Sequence, residues 1–338
     1  MTLPVAVDAM GGDNAPAAIV QGALRAVNEH GIAVTLVGRR EVVEAELQSA
    51  GATQGGAITV VDAREVIEMN EHPANAVRAK RDSSLVSSCA LVAGGTARAV
   101  VSAGNSGAML AAALFTIKRI PGIARPAIGA AFPSESGQTF MLDVGANTDC
   151  KPEWLAQFAL MGDVYARTML GIERPRIALL SNGEEAEKGS ELVQAAHPLL
   201  AALPVNFVGN VEGKDVFRGG CDVVVTDGFT GNVVLKVAEG IGDFLFSSIA
   251  REARKSVGGK VGGALLRPKL RPLRDRVDYR KTGGALLLGV AGEVVIAHGR
   301  SDAEATMNAI RVAARAADQG VSGVIASAVR TPVEVGAQ

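Results

Sequence analysis

The sequence predicts an α/β fold: a Rossmann-like, mostly parallel sheet covered by helices. Three observations carry this. Short apolar runs alternate with helical patterns along all 338 residues. Gly/Asn/Asp turns separate many of these runs from the helices that follow. Aromatics are 4% and hydrophobic residues 48%, so the core is built from Ala, Val, Leu and Ile. That is the composition of strands buried on both faces.

The elements follow in order. Val5–Ala9 is a strand, Met10–Pro16 a turn and Ala17–Asn28 a helix. Val34–Val37 precedes a helix at Glu41–Ala50, and Ile58–Val61 is the third strand. Ala74–Ala93 reads as one long helix. Ala99–Ser102 is a strand and Gly107–Ile117 a helix. Ile128–Phe132 and Phe140–Asp143 flank a turn at Ser134–Gln138 and predict a local antiparallel pair. Pro152–Leu170 is a helix with proline in its first turn. Ile177–Leu180 is a strand and Glu191–Ala202 a helix. Val205–Val208 and Val223–Thr226 are strands, and Val233–Arg254 is helical. Leu286–Val290 and Val294–Ala297 are short apolar runs, and Ala303–Ala317 closes the chain as a helix. No segment reads as a linker. Residues 1–338 are therefore expected to form one α/β domain, or two interleaved subdomains sharing a core.

Bulk properties exclude several function classes. A formal net charge of −1 argues against a nucleic-acid binder. Cys89, Cys150 and Cys221 have no CxxC spacing, which predicts neither a zinc site nor a disulfide framework. Unpaired cysteines suit a reducing cytoplasm. His30, His72, His197 and His298 form no HxH or HxxxH pair, so no metal is expected. The N-terminus has no basic region ahead of an apolar stretch, which predicts no signal peptide. The helical run Ala108–Ile117 is too short to cross a bilayer. A cytoplasmic protein able to touch the membrane's inner face fits these features.

Ligands of open α/β sheets bind beyond the carboxyl ends of the strands. Five loops answer to that description: Asp8–Asp13, Ser102–Gly107, Asp143–Asn147, Ser181–Gly189 and Thr226–Asn232. Glycine lets a backbone approach a ligand, and a helix starting next presents N–H groups to an anion. One such loop alone is ordinary turn chemistry. Five at strand ends predict an anion site, a phosphate above all. Neither GxGxxG nor GxxxxGK[ST] occurs in them, so nucleotide binding by those routes is not supported.

Single residues leave two readings each. Lys188 holds an anion or polarises a carbonyl, or it is a surface lysine paired with Glu184 or Glu185. Asn232 caps the helix that follows, or it donates to a developing oxyanion. Asp8, Asp13, Asp143 and Asp227 are turn residues, or they orient a donor or accept a proton. His72 is an exposed loop histidine, or a group titrating near neutrality. From Arg251 to Lys281, eleven Lys/Arg face three acids, a net +8 around the apolar, glycine-rich Val257–Leu266. That stretch reads as a flexible docking segment for an acidic protein or an anionic membrane, or as a solvated face.

Taken together, the loops resemble a known family. Val7–Asp13, Arg81–Ser84, Ser102–Ala108, Leu142–Asn147 with Cys150–Glu153, Ser181–Gly189, Gly209–Gly213, Asp227–Asn232 and Tyr279–Gly284 are similar, nearly end to end, to the bacterial phosphate acyltransferases of phospholipid synthesis (the PlsX family). Two positions depart from the family pattern: Leu286 stands where proline is common, and Ser106 where threonine is.

The resemblance implies a homodimeric enzyme that converts acyl–acyl carrier protein and inorganic phosphate into acyl phosphate and free carrier. A membrane glycerol-3-phosphate acyltransferase would take the product. It also implies a fold related to phosphate acetyltransferases and to isocitrate and isopropylmalate dehydrogenases, with no metal and no cofactor. On this reading Lys188, Asn232 and Asp227 are catalytic. Asp8, Gly11, Gly12, Ser102, Gly104, Asn105, Ser106, Gly107, Asp143, Asn147, Asn182 and Gly231 bind substrate or phosphate. Arg267, Lys269 and Arg271 dock the carrier or the membrane. The competing readings are a CoA-dependent short-chain phosphotransacylase, an NAD- and metal-dependent decarboxylating dehydrogenase, and a non-catalytic acyl-carrier-binding protein.

Overall fold

The computed structural model describes residues 2–330, apart from the side chains of 273–277 and 279. In chain order it begins with β1 (Val5–Asp8), α1 (Ala17–His30), β2 (Val34–Gly38), α2 (Arg40–Ser49), β3 (Ile58–Asp62), α3 (Pro73–Ala79), α4 (Ser84–Ala93), β4 (Ala99–Ser102) and α5 (Ser106–Ala112). Then come β5 (Ala127–Ser134), β6 (Gly137–Leu142), α6 (Pro152–Tyr165), β7 (Arg176–Leu180), α7 (Glu191–Ala201), β8 (Asn206–Val211) and β9 (Val223–Val225). The chain ends with α8 (Gly228–Ala253), α9 (Val257–Val277), α10 (Tyr279–Thr282), β10 (Ala285–Leu288), β11 (Glu293–Ile296), α11 (Ala303–Gln319) and α12 (Val321–Arg330).

All eleven strands join one sheet, in the order β3-β2-β1-β4-β11-β10-β5-β6-β9-β7-β8. β3, β2, β1, β4 and β11 are mutually parallel. So are β6, β9, β7 and β8. Between these sets, β10 and β5 pair antiparallel with each other and with both neighbours. Those three reversals make the two parallel sets run in opposite directions. The sheet is therefore mostly parallel, as expected, and the β5–β6 hairpin is the expected antiparallel pair.

Strand residues alternate between two cores, with period two. Val5 and Val7 of β1 face one core and Ala6 the other. Helices α1, α2, α6, α7, α11 and α12 cover the first core; α3, α4, α5 and α8 cover the second. Both sheet faces are thus buried, which is why the strands are continuous apolar runs.

Local capping explains where elements depart from expectation. The long helix expected over Ala74–Ala93 is two helices. α3 ends before Lys80, whose ammonium is held by the Val66 carbonyl at 2.7 Å and Glu71 at 2.6 Å. Ser83 then caps α4 by accepting the Val86 N–H. α8 starts five residues earlier than expected, at Gly228, because Asp227 caps it. The Val257–Leu266 stretch is helical rather than flexible: Ser256 accepts the Gly259 N–H at 2.9 Å and opens α9. Its Pro268 and Pro272 lie inside that helix. α12 follows α11 and had no expectation; Gly320 turns the chain between them in the left-handed region. Arg274 and Arg276 of the basic stretch lie outside the described side chains. Among the described residues, no helix is long and apolar enough to cross a membrane.

Candidate active site

The five loops do not share one edge of the sheet. Because the two parallel sets run oppositely, their carboxyl ends belong to different edges. Asp8–Asp13 and Ser102–Gly107 form one cluster, after the adjacent β1 and β4. Asp143–Asn147, Thr226–Asn232 and Ser181–Gly189 form the other, after β6, β9 and β7, which are also adjacent. The five loops thus fall into two clusters, one after each parallel set.

In the first cluster most predicted side chains are engaged by the protein itself. Asp8 is buried and accepts the Ser102 hydroxyl at 2.7 Å and the Met10 N–H at 3.2 Å. Burial pushes its carboxyl above the ordinary value, against the pull of Ser84, Ser102 and the Met10 and Gly11 N–H groups. Ser102 Oγ also accepts the Gly104 N–H at 3.0 Å. Asn105 caps α5 by accepting the Ala108 N–H, and its amide donates to the Met69 and Glu71 carbonyls. Beyond Gly11 and Gly12, the Asp13 N–H donates to the Gly299 carbonyl at 2.8 Å. What this end of α5 leaves for a ligand is the exposed Ser106 and the N–H groups of its first turn, Gly107 included.

The second cluster is organised by one carboxylate. Asp143 is fully buried and accepts the N–H groups of Ile128, Gly145, Ala146 and Asn147 and the Asn147 side-chain amide, all at 2.8–3.0 Å. Burial pushes its carboxyl up, and these donors pull the other way. The loop so formed grips the start of α8: the Asn147 carbonyl accepts the Gly228 N–H at 2.7 Å. One turn on, a Cβ on Gly231 would lie 1.9 Å from the Asp143 carbonyl oxygen, so only glycine lets the two backbones meet. Asp227 accepts the Thr230 N–H at 2.8 Å and its hydroxyl at 2.7 Å, which fixes the helix end. Asp227, not Asn232, is therefore the cap. Asn232 is exposed in the second turn, with its amide beside Gly145.

Lys188 lies in a turn ahead of Ser190, the cap of α7, rather than in a helix. Its N–H donates to the Glu185 carbonyl at 3.0 Å, while its side chain is exposed. Among the described residues no carboxylate pairs with its ammonium, so the alternative of a pairing with Glu184 or Glu185 is absent. Asn182 is exposed on the same loop.

Helix α8 joins the clusters. It starts in the second, and the charges of its Lys236 and Glu239 act on His298, which also feels Asp13 of the first. Burial, then the Lys236 charge, hold the His298 imidazole below its ordinary value, with Glu239 and Asp13 opposing. Sequence reasoning gave His298 no role; its place after β11, next to β4, follows only from strand order. His72 precedes α3 and carries no side-chain cap bond.

No cysteine is poised as a nucleophile. Burial pushes Cys89 and Cys150 up to about 12 and Cys221 to about 11. At pH 8, Cys150 should alkylate with iodoacetamide at least about tenfold more slowly than a free thiol, because its thiolate fraction is about a thousandfold smaller and the greater basicity of that thiolate offsets only part of this. Peptide mapping by mass spectrometry checks the rate, and treated protein should keep its activity. Rapid labelling of Cys150 with loss of activity would contradict this. Among the described residues no group of three His, Cys, Asp or Glu is arranged to hold a metal ion.

Residues 3–324 match the family described as fatty acid synthesis protein. The chain belongs to that family. A phosphate acyltransferase of Pelotomaculum thermopropionicum is 50% identical over 311 residues, covering 92% of this chain and 90% of that protein. One of Geobacter sulfurreducens is 47% identical, covering 97% and 94%. Among solved structures, a phosphotransacetylase from Streptococcus pyogenes superposes with TM-score 0.66 at 18% identity, covering 94% of each chain. A 4-hydroxythreonine-4-phosphate dehydrogenase from Klebsiella pneumoniae does so with TM-score 0.55 at 16% identity, covering 94% of this chain and 100% of that one. These two likenesses concern the fold alone and fit the expected α/β class; the dehydrogenase is of another kind than the isocitrate and isopropylmalate dehydrogenases expected.

Proposed function

We propose that this family member is an acyltransferase that moves a fatty-acyl group from acyl carrier protein to inorganic phosphate. The observation that carries the reading is the uncommitted Lys188 ammonium on the edge where Asp143 and Asp227 fix the start of α8. The family and its phosphate acyltransferase relatives support the same activity.

Phosphate is itself the nucleophile. One of its oxygens attacks the thioester carbonyl, the tetrahedral oxyanion collapses, and the carrier leaves as a thiolate that takes a proton. The protein's part is to hold two reactants together and stabilise the oxyanion. The reactants meet beside α8, which runs from the second cluster toward His298 near the first. Lys188 and Asn232 donate to the oxyanion; Asp227, Asp143 and Asn147 orient them. Ser106 and the first turn of α5 receive phosphate from the other side. The acyl chain takes the groove of about 1910 Å³ between α8 and α9, which Phe246, Ile249, Ala250 and Leu266 line.

The protein acts as a homodimer in the cytoplasm, at times against the membrane. Phe229, Val233, Val237, Ile241 and Leu245 recur every fourth residue along α8, each 47% or more exposed. An apolar stripe of that length fits a second copy. Arg267, Lys269 and Arg271 are exposed on α9 and dock the acidic carrier, and through it or beside it an anionic membrane and a glycerol-3-phosphate acyltransferase.

The deciding experiment mixes purified protein, long-chain acyl carrier and phosphate, and follows release of carrier thiol. Phosphate-dependent release supports the reading. Turnover of acetyl-CoA alone favours a short-chain phosphotransacylase, and binding of acyl carrier without thiol release a non-catalytic protein. Reversing Arg267, Lys269 and Arg271 to Glu should raise KM for acyl carrier at least about tenfold at low salt, with kcat unchanged, and less at high salt. An unchanged KM and unchanged vesicle binding would remove the docking role.

A further inference from the structure

Gly209-Asn-Val-Glu-Gly213 is a motif with no role in the chemistry above. Its first three residues lie on β8, the edge strand next to β7, and Glu212 and Gly213 follow it. The β7–β8 ladder slips there: Ile177 pairs with Phe207, but Leu179 pairs with Asn210. β8 therefore carries one extra residue, a β-bulge, and Gly209 sits in it at φ +96°. A side chain at that φ would be strained.

A bulge re-aims whatever follows it. In a regular strand Asn210 would share the face of Val208, which is 45% exposed. After the bulge Asn210 is buried instead, at 5%. Its amide donates to the Glu185 carbonyl at 2.8 Å. That same carbonyl accepts the Lys188 N–H at 3.0 Å. The turn that carries Lys188 is thus tied to the sheet through one oxygen. The cost is visible, since the Asn210 Oδ1 is buried without a hydrogen-bond partner among the described residues. A buried amide left half satisfied is a poor choice for packing alone.

We propose that Asn210 is a positioning residue: the bulge at Gly209 turns it inward to hold the Lys188 turn in its reactive place. This rests on the catalytic reading of Lys188. Acting only through that turn, Asn210 should alter kcat and leave substrate affinity alone.

Asn210→Leu should lower kcat for acyl-phosphate formation about tenfold, the order expected when a catalytic group is misplaced by a fraction of an ångström. KM for acyl carrier should stay within about twofold. Asn210→Asp keeps the shape but donates only when its carboxyl is protonated. Its activity, relative to Asn210→Leu at each pH, should rise as pH falls. A filler with a purely structural role would show no such pH-dependent rescue.

A double-mutant cycle separates this proposal from the reading beneath it. If Asn210 works through Lys188, the Lys188→Ala/Asn210→Leu double variant is no slower than Lys188→Ala. Fully multiplicative losses, or an Asn210→Asp profile parallel to that of Asn210→Leu, overturn the positioning role. Wild-type activity of Lys188→Ala overturns the Lys188 reading instead.

Discussion

Lys188→Ala is expected to fold normally and to form acyl phosphate about 100- to 1000-fold more slowly than the wild type. The side chain is exposed, and the turn around it is held by backbone and Asn210 bonds that alanine keeps. Truncation therefore has little to destabilise. The kinetic loss is that of removing one preorganised oxyanion donor, about 2.7–4 kcal/mol. A surface lysine in an ordinary ion pair contributes only about 0–1 kcal/mol, and to stability rather than rate. The loss should fall on kcat and on kcat/KM alike, because the donor acts mainly in the transition state. Lys188→Arg should recover part of it: the charge is kept, while the wider guanidinium misplaces the donors. Steady-state kinetics with phosphate and long-chain acyl carrier make the check. A Lys188→Ala enzyme with wild-type kcat and an intact circular-dichroism spectrum would refute the assignment.

Asp143→Ala should cost about 3–5 kcal/mol of folding stability and abolish turnover. The carboxylate accepts five N–H bonds from Ile128, Gly145, Ala146 and Asn147. Each donor left buried and unpaired costs about 1–3 kcal/mol, reduced wherever water replaces the lost oxygen. Domains of this kind are stable by only about 5–15 kcal/mol, so the loss is a large share of the total. The active-site consequence is direct, because the loop that Asp143 shapes holds the start of α8 through the Asn147 carbonyl and the Gly228 N–H. Asp143→Asn should lose less, about 2 kcal/mol: one amide oxygen still accepts, but the new NH₂ faces N–H donors. Urea unfolding followed by fluorescence of the single Trp, Trp154, gives the numbers. If Asp143→Ala unfolds within about 1 kcal/mol of wild type, the carboxylate does not organise this site.

Capping patterns were partly legible. Asp227 and Thr230 have the spacing of a cap and its partner, yet the apolar pattern alone put the helix start at Val233. The five residues Gly228–Asn232 are helical because Asp227 and Asn147 satisfy the end. Ser83 likewise divides what looked like one helix. Its glycines made Val257–Leu266 read as flexible, but in the structure it runs in α9 alongside α8, a contact between elements that composition does not encode. The bulge at Gly209 had a signal, an isolated glycine within an apolar run. Its consequence, a buried Asn210 beneath Lys188, had none.

By itself the sequence determined the α/β class, the polar loops after the strands and the family. Those are local properties: apolar periodicity, turn residues and motifs in order. Only the tertiary structure decided which loops share an edge. That depends on β10 and β5, two antiparallel strands from distant parts of the chain, which reverse one parallel set against the other. Strand order arises from long-range pairing, and nothing in the spacing of a loop records which strand will lie beside it.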